Sequence, residues 1–243
     1  RGNQEAVRKI LNWLRGFEIG SPSKRAAMLW GPPGTGKTVV VEAIANDYGY
    51  ELIETNASDF RTNEQIEREI LRCLGHQTLD YGLYESKVRG RIILFDEVDG
   101  ISGMEDKGGI GAIIKVIREA YCPVFLTAND AWNPKLKMLR QHCVLVDFQG
   151  IERSAIVSYL REICGAEEIE ASDDALESIV LNADGDIRAA VNDLQALTMG
   201  RRRLTGNDVS VYVRDEQIQT FSALSRFFTA KTWADAKKAV DES

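Results

Sequence analysis

The feature that most constrains the fold is a glycine-rich octapeptide, GPPGTGKT, at residues 31–38. A short apolar run, Ala26 to Trp30, precedes it, and apolar residues recur at helical spacing from Thr38 to Tyr48. The octapeptide matches the pattern GxxxxGK[ST]. In that pattern backbone N–H groups at a helix N-terminus surround phosphates, the lysine reaches the β- and γ-phosphates, and the hydroxyl binds Mg²⁺. The order strand, loop, helix therefore predicts a nucleoside triphosphate site.

The predicted nucleotide-binding residues of this segment, including the residue that follows it, are Gly31, Pro32, Pro33, Gly34, Thr35, Gly36, Lys37, Thr38 and Val39. Among them Thr38 is the predicted Mg²⁺ ligand, because its hydroxyl occupies the last position of the pattern.

Four further apolar runs have the character of strands. Arg91 to Phe95 and Pro123 to Thr127 lack polar alternation, as expected of strands buried on both faces of a parallel sheet. Glu51 to Glu54 and Val144 to Phe148 are weaker candidates. Helical spacing is found at Asn3 to Phe17, Asn63 to Leu74 and Ile110 to Ala120. Strands that alternate with helices predict an α/β fold, a doubly wound parallel sheet flanked by helices, with ligands at the carboxyl ends of the strands.

The pattern changes after Gly150, where helices follow one another without clear strands. Helices are predicted at Glu152 to Cys164, Ser172 to Asn182, Asp186 to Thr198 and Gly206 to Val213, several of them opened by Ser or Asp caps. Two more helical patterns occur at Glu216 to Phe228 and Thr232 to Val240. We therefore expect a nucleotide-binding αβα domain at residues 1–150, a small all-helical domain at 151–214, and at 215–243 the start of a truncated helical segment.

The composition excludes several classes of protein. A hydrophobic content of 44% with only 5 Pro allows a buried core, and no apolar run approaches the roughly 18 residues of a membrane span. The net charge of −7 argues against nucleic-acid binding by bulk charge, so such binding would need a local patch. The 4 cysteines are scattered, which favours neither a zinc site nor a disulfide framework. An intracellular protein without a membrane partner is expected.

An acidic pair, Asp96 and Glu97, ends the apolar run IILF. At the carboxyl end of a buried strand, one carboxylate can hold the Mg²⁺ shell and its neighbour can polarise the attacking water. We predict Asp96 as the metal-side residue and Glu97 as the general base. Acidic residues also end strands as solvated turns, and the accompanying glycine loop is what favours the catalytic interpretation.

Two more polar residues are candidates. Asn129 follows the run that ends in Thr127, which places its amide at the same sheet edge, where it could orient the water or contact the γ-phosphate. Arg188 lies near the start of a helix in GDIRAAVNDL and could reach the phosphates. The alternatives are a turn asparagine and a solvated arginine, and the residue types alone leave both open.

Together these residues resemble the AAA+ ATPases, with Walker A at Gly31 to Thr38, Walker B at Asp96 and Glu97, sensor 1 at Asn129 and sensor 2 at Arg188. More narrowly the chain is similar to the large subunits of replication factor C, most of all the archaeal form. That resemblance rests on NASD (Asn56 to Asp59), DEVDGISGMEDKGG (Asp96 to Gly109), TANDAW and GDIRAAVNDLQ. It implies a helical lid at 151–214, a collar segment from 215, ATP and Mg²⁺ as cofactors, and Lys37, Glu97, Asn129 and Arg188 as catalytic residues.

The resemblance also implies a function: an ATPase subunit that opens a sliding clamp and loads it onto primer-template DNA, in a five-subunit arc with small subunits. Where small subunits carry Ser-Arg-Cys, this chain has Gln141, His142 and Cys143. A histidine with a pKa near 6.5 is mostly neutral at pH 7 and cannot replace an arginine finger dependably. We expect an end position in the arc, in the cytoplasm, or in the nucleus of a eukaryote.

Contacts to DNA and clamp are expected at two kinds of segment. Helix starts with basic residues suit backbone binding, and the candidates are Arg61, Thr62, Lys107, Gly108, Gly109 and Lys115. The loop LDYGLY is rich in apolar residues, which often mark a partner site, and the clamp candidates are Leu79, Tyr81, Leu83 and Tyr84. A solvated helix end and a loop folded onto the core are the alternatives.

Two other functions stay open at this point. One is an AAA+ ATPase of DNA repair or of helicase type, which would carry the same motifs. The other is a scaffold subunit that binds ATP without hydrolysing it, against which the set of Lys37, Asp96, Glu97 and Asn129 argues.

Overall fold

Residues 2–20, 22–56, 90–101 and 107–212 are described by a computed structural model of the chain. The chain divides into two units, Arg1–Ile151 and Glu152–Ser243. The predicted helices at 63–74, 216–228 and 232–240 lie outside the described residues.

Five strands form the centre of the first unit: β1 (Ala26–Trp30), β2 (Tyr50–Asn56), β3 (Gly90–Asp96), β4 (Val124–Ala128) and β5 (Cys143–Asp147). They form one sheet with the order β2-β3-β4-β1-β5, and every neighbouring pair is parallel. The predicted parallel sheet is confirmed. β1 has the predicted bounds, and it lies between β4 and β5, so the loop that follows it leaves from an interior strand of the sheet.

Helices cover both faces of this sheet, as the doubly wound prediction requires. One apolar core packs α1 (Gln4–Glu18) and α2 (Lys37–Tyr48) against one face. The other core packs α3 (Lys107–Glu119) and α4 (Lys137–His142) against the opposite face. Alternate residues of β1 take part in the two cores, Ala27 and Leu29 in the first and Ala26 and Met28 in the second. This alternation is the period of two that a strand imposes.

Most helix bounds lie within two residues of the predictions, and two helices differ more. The helix expected from Ile110 begins at Lys107, although glycine is a weak helix former. Gly109 is buried, and a Cβ there would lie 3.8 Å from Ile101 Cγ2, so packing holds this turn. Helix α4 was not predicted at all, because its six residues, KMLRQH, are too few for a periodic pattern.

The second unit contains α5 (Arg153–Ala166), α6 (Asp173–Ala183), α7 (Ile187–Thr198) and helical backbone at residues 206–212. Two of these helices have the expected side-chain caps. Ser172 Oγ accepts the N–H of Ala175 at 3.3 Å, and Asp186 Oδ1 accepts the N–H of Ala189 at 2.9 Å. The predicted helical lid fold is confirmed, with one exception.

The prediction of an all-helical second domain is wrong in one detail. The two-residue strands β6 (Glu170–Ala171) and β7 (Arg203–Leu204) pair in parallel. The chain turns after α7 at Gly200, which has φ +73°, and β7 then pairs with β6, which follows α5. The arginines before β7 form ion pairs: Arg202 with Glu168 at 3.1 Å and Arg201 with Asp208 at 3.4 Å.

Candidate functional site

Gly31, the first residue of the glycine loop, is held where three neighbouring strands end. Its N–H donates to Ala128 O at 3.3 Å, and beside it the N–H of Phe148 donates to Trp30 O at 2.7 Å. Gly31 is buried with φ +143°, and an added Cβ would lie 1.9 Å from Phe148 O. Glycine is therefore required here, because no side chain fits. The loop starts from a fixed point at the carboxyl edge of the sheet.

The remainder of the loop leads directly into α2. Gly34 and Gly36 have φ values of +65° and +88°, which glycine adopts without strain. Within the loop, Thr35 Oγ1 donates to Pro32 O at 2.9 Å. Gly36 is the N-cap of α2, offers no side chain to the N–H groups of the first turn, and precedes a turn without acidic residues. Such a helix N-terminus favours the binding of an anion.

The side chain of Lys37 joins this loop to the end of β4. It is buried, and its Nζ donates to Gly31 O and Pro32 O, both at 2.8 Å, and to Asn129 Oδ1 at 3.1 Å. Asn129 directly follows β4, which is the neighbour of β1 in the sheet. The strand order therefore brings together two residues that are 92 positions apart in the sequence.

Asp96 lies at the end of β3 and accepts two hydroxyl groups on one oxygen. Thr38 Oγ1 donates to Asp96 Oδ1 at 2.9 Å, and Thr127 Oγ1 donates to the same atom. Thr127 Oγ1 also accepts the N–H of Glu97, at 2.9 Å. A hydroxyl and a carboxylate side by side are the oxygen donors that Mg²⁺ prefers. This cluster therefore fits the predicted metal site.

Glu97 has an unusual backbone conformation. Its φ of +53° and ψ of +48° lie in the left-handed region, which costs a non-glycine residue roughly 1–3 kcal/mol. The residue is exposed, and it is the N-cap of a 3₁₀-turn, Val98–Gly100. The hydrogen bond from its N–H to Thr127 holds this conformation. Strain of this kind is found at functional sites more often than elsewhere.

Negative charge is concentrated on the β2 side of Asp96. Burial raises the pKa of Glu54, and the negative charges of Asp96 and Glu42 raise it further. The folded state thus favours the protonated form of Glu54, so this group lowers stability as the pH rises through its raised pKa. A divalent cation beside Asp96 would offset this repulsion.

The structure brings some of the predicted site residues together and not others. In the first unit Lys37 donates to Asn129 and Thr38 donates to Asp96. Glu97 adjoins the second pair through Thr127. Arg188 is exposed in the first turn of α7, in the second unit. Arg61, Thr62 and the loop residues Leu79, Tyr81, Leu83 and Tyr84 lie outside the described residues.

The remaining candidates for DNA contact lie on α3. Lys107 and Gly108 form its first turn, Gly109 is buried, and Lys115 is exposed two turns further along. Lys115 is thus not at the helix start where it was expected. At the phosphate loop, Pro32, Pro33 and Val39 are exposed and Thr35 is buried.

Three residues of the site were missed by the sequence analysis. Thr127 is a polar residue in an otherwise apolar strand, which is a signal that could have indicated it. Asp99 Oδ2 accepts the N–H of Asn129 at 2.8 Å. The only local sequence signal for this residue was its place in the acidic segment DEVD. Asn3 donates through Nδ2 to Gln149 O at 3.0 Å and Thr35 O at 3.4 Å, and nothing local indicates this.

We expect Thr127→Val to lower the free energy of unfolding by about 1–3 kcal/mol. The methyl group fills the space of the hydroxyl, but Asp96 loses a donor and the N–H of Glu97 loses its acceptor. Urea unfolding measures the change. Thr127→Ser, which keeps the hydroxyl, is the matched control; a serine variant as unstable as the valine variant would show that the hydrogen bonds are not the cause.

Comparisons with known proteins agree with this geometry. The family model "ATPase family associated with various cellular activities (AAA)" matches residues 27–149, and the model "RCF1/5-like, AAA+ ATPase lid domain" matches residues 158–199. The replication factor C large subunit of Thermofilum pendens is 44% identical over 95% of this chain and 54% of its own length. That of Staphylothermus marinus is 41% identical over 99% and 56%. This chain spans about half the length of these curated relatives.

Solved structures resemble the fold. The RuvB Holliday junction branch migration motor of Thermotoga maritima matches with a TM-score of 0.61 at 20% identity, over 85% of this chain and 67% of that one. At this identity the likeness concerns the fold alone. No helix in the described ranges combines the length and apolarity that crossing a membrane demands. With its glycine loop, its acidic strand end and a family match over residues 27–149, the chain belongs to the AAA ATPase family.

Proposed function

We propose that this chain is the ATP-hydrolysing part of a clamp-loader large subunit, which uses ATP to open a sliding clamp and load it onto primer-template DNA. The observation that carries the proposal is the 44% identity with a replication factor C large subunit, which extends over 95% of the chain and so includes both units. The geometry of the site supports the ATPase component independently of that name.

The loop residues fit ATP with Mg²⁺. Gly34 and Gly36 carry the backbone in a left-handed conformation into the N-terminus of α2, and Lys37 supplies a positive charge there. These groups would hold the phosphates. Thr38 and Asp96 would hold Mg²⁺, which neutralises charge on the phosphates when bound.

Hydrolysis requires a base and a polar group near the attacking water. Glu97 is exposed at the end of β3 and would accept the proton of the water. Asn129 already contacts Lys37 through Oδ1, and its amide would orient the water or the γ-phosphate. For Arg188 the role of sensor 2 rests on the resemblance, since the helix start alone does not require it.

The end position in the arc is part of the proposal. Helix α4 contains one arginine, Arg140, and its guanidinium is occupied inside this chain: it donates to Asn133 O at 3.2 Å and to Ala131 O. It also lies over the ring of Trp132, 5.1 Å from the centroid. Arg140 is thus not available as an arginine finger. His142, which takes the position of that arginine, lies half-buried at the end of α4. Helix α4 thus offers no arginine to a neighbouring subunit, which suits a position in the arc where no neighbouring ATP site is completed.

We expect His142→Arg to leave the ATPase rate of a correctly ordered complex unchanged. The new arginine would face no neighbouring nucleotide, because the chain occupies the end of the arc. Gln141→Arg, on the same helix, is the matched control for added charge. A rise in rate that only His142→Arg produces, comparable to the effect of an arginine finger, about 10³-fold or more, would contradict the end position.

Contacts with DNA and clamp complete the proposal. Lys107, Gly108 and Lys115 on α3 would contact the DNA backbone, together with Arg61 and Thr62. Gly109, a candidate from the sequence, is buried and is not part of this proposed contact. The clamp would bind at Leu79, Tyr81, Leu83 and Tyr84. Replacing Lys107 and Lys115 on α3 by glutamate reverses the charge of these two positions and should weaken the binding of primer-template DNA. An unchanged affinity would show that these lysines have no role in DNA binding.

The deciding experiment is reconstitution with archaeal small subunits, followed by ATPase and clamp-loading assays with clamp and primed DNA. Stimulation of hydrolysis by clamp and DNA together, with closed clamps recovered on DNA, is the expected result. Stimulation by branched DNA without clamp would indicate a helicase-type ATPase instead. Clamp loading that is unaffected by Lys37→Ala would indicate a silent scaffold subunit.

A further inference from the structure

Asp99 connects the two strand ends of the site, although its side chain was not among the predicted site residues. It lies in the 3₁₀-turn Val98–Gly100, two residues after Glu97. Its Oδ2 accepts the N–H of Asn129 at 2.8 Å and the N–H of Asp130 at 3.3 Å. One carboxylate oxygen thus holds two successive peptide groups after β4. Hydrogen bonds to an ionised acceptor are roughly twice as strong as neutral ones.

These bonds involve the backbone of Asn129 and leave its side chain available. Asn129 Oδ1 accepts Lys37 Nζ at 3.1 Å, so the amide lies beside the lysine of the phosphate loop. The turn that carries Asp99 also carries Glu97, whose N–H donates to Thr127 at 2.9 Å. The base and the asparagine are therefore held to one another by two bridges, Asp99 and Thr127.

The loop beyond Asp130 is held without Asp99. Asp130 Oδ1 accepts the N–H of Trp132 at 2.8 Å, and Arg140 donates to Asn133 O at 3.2 Å. Removing the carboxylate of Asp99 would thus release residues 129 and 130 and leave the rest of this loop anchored. The direct effect therefore falls on Asn129 and Asp130.

The other oxygen of Asp99 does not fit a purely structural role. Asp99 Oδ1 is buried and has no hydrogen-bond partner among the described residues. A buried polar atom without a partner costs free energy, so the residue is a poor choice for stability alone. The presence of such a group is explained when its other oxygen, Oδ2, positions a functional residue.

We infer that Asp99 is a positioning residue: it sets the Asn129 amide relative to Glu97, so that the chain distinguishes a nucleoside triphosphate from a diphosphate. The inference rests on the proposed ATPase function and adds to it the residue that couples the base to the γ-phosphate contact. No step of the reaction uses Asp99 directly.

The test compares the affinity of the chain for ADP and for a non-hydrolysable ATP analogue, both with Mg²⁺. We expect Asp99→Ala to lower the preference for the triphosphate by about tenfold or more, because small displacements of a positioned group have effects of this size. The affinity for ADP, which lacks the γ-phosphate, should stay within about twofold. In ATPase assays kcat should fall more than KM changes.

Three further variants make the result specific. Asp99→Asn keeps an oxygen at the same place and should retain most of the preference for the triphosphate that Asp99→Ala loses. Asp99→Glu keeps the negative charge but displaces it, so this variant should lose the preference. These two carry the test if the alanine variant does not fold. Asp130→Ala removes the neighbouring carboxylate, which accepts the N–H of Trp132 and not that of Asn129. This variant should leave the preference for the triphosphate unchanged.

The outcomes separate the two proposals. An Asp99→Ala chain that retains the preference, or that loses ADP and triphosphate affinity equally, would overturn the positioning role alone. A wild-type chain that binds neither nucleotide would remove the proposed function, and the inference with it.

Discussion

Glu97→Gln should lower the rate of ATP hydrolysis by about 10²–10⁴-fold, the range that loss of a general base produces. Glutamine has the same shape and retains the N–H that donates to Thr127, so the turn should persist. Its amide cannot accept the proton of the attacking water. ATP binding should change little, because the residues proposed to hold the phosphates and Mg²⁺ are Lys37, Thr38 and Asp96, which the substitution leaves in place.

The assay must report ATP hydrolysis by this chain alone and not by other subunits of the complex. Small subunits with alanine at their own loop lysine provide that background in a reconstituted complex, and single-turnover hydrolysis then reports this site. Glu119→Gln, an exposed substitution in the last turn of α3, is the matched control for loss of charge. A Glu97→Gln complex that hydrolyses ATP at the rate of the control would exclude Glu97 as the base.

Gly31→Ala should destabilise the first unit by roughly 3–6 kcal/mol, through steric overlap and an unfavourable backbone conformation. The new Cβ would lie 1.9 Å from Phe148 O and 2.9 Å from Phe148 C. Either Phe148 or the loop must move. Movement of Phe148 breaks its bond to Trp30 O, and movement of the loop breaks the bond from Gly31 to Ala128 O.

Gly36→Ala is the matched control in the same loop. It has φ +88° but no atom within 4 Å of an added Cβ, so the only penalty is the left-handed conformation, roughly 1–2 kcal/mol. Thermal unfolding and nucleotide affinity measure both variants. Equal destabilisation by the two alanines would mean that the contact with Phe148 does not determine the requirement for glycine.

The local elements of this protein could be predicted because their signals are local. The apolar run Ala26–Trp30 became β1 with the same bounds, and helix α2 begins one residue before the predicted start. A run without alternation indicates a strand buried on both faces, and such strands are parallel. Helix α4 had no such signal, because six residues do not show a helical period and the helix is held by packing.

The sequence by itself determined the chemical groups of the site: the glycine loop, Lys37, Thr38, the acidic pair and Asn129. Each belongs to a motif or to the end of an apolar run, and the carboxyl ends of parallel strands meet at one edge. Their hydrogen bonds were decided by the tertiary structure. Thr127 reaches Asp96 across 31 positions and Asn3 reaches Gln149 across 146, because β4 pairs with β3 and α1 packs beside β5.

The same reason explains Gly31, Thr127 and Asp99. The motif showed that residue 31 is a glycine position. The atom that excludes a side chain there, Phe148 O, is close in space but belongs to a residue near the end of the first unit's sequence. Thr127 and Asp99 are polar groups whose partners depend on which strands are neighbours. Residue types and spacing carry the chemistry, whereas strand order decides which distant groups come within the roughly 3 Å that a hydrogen bond requires.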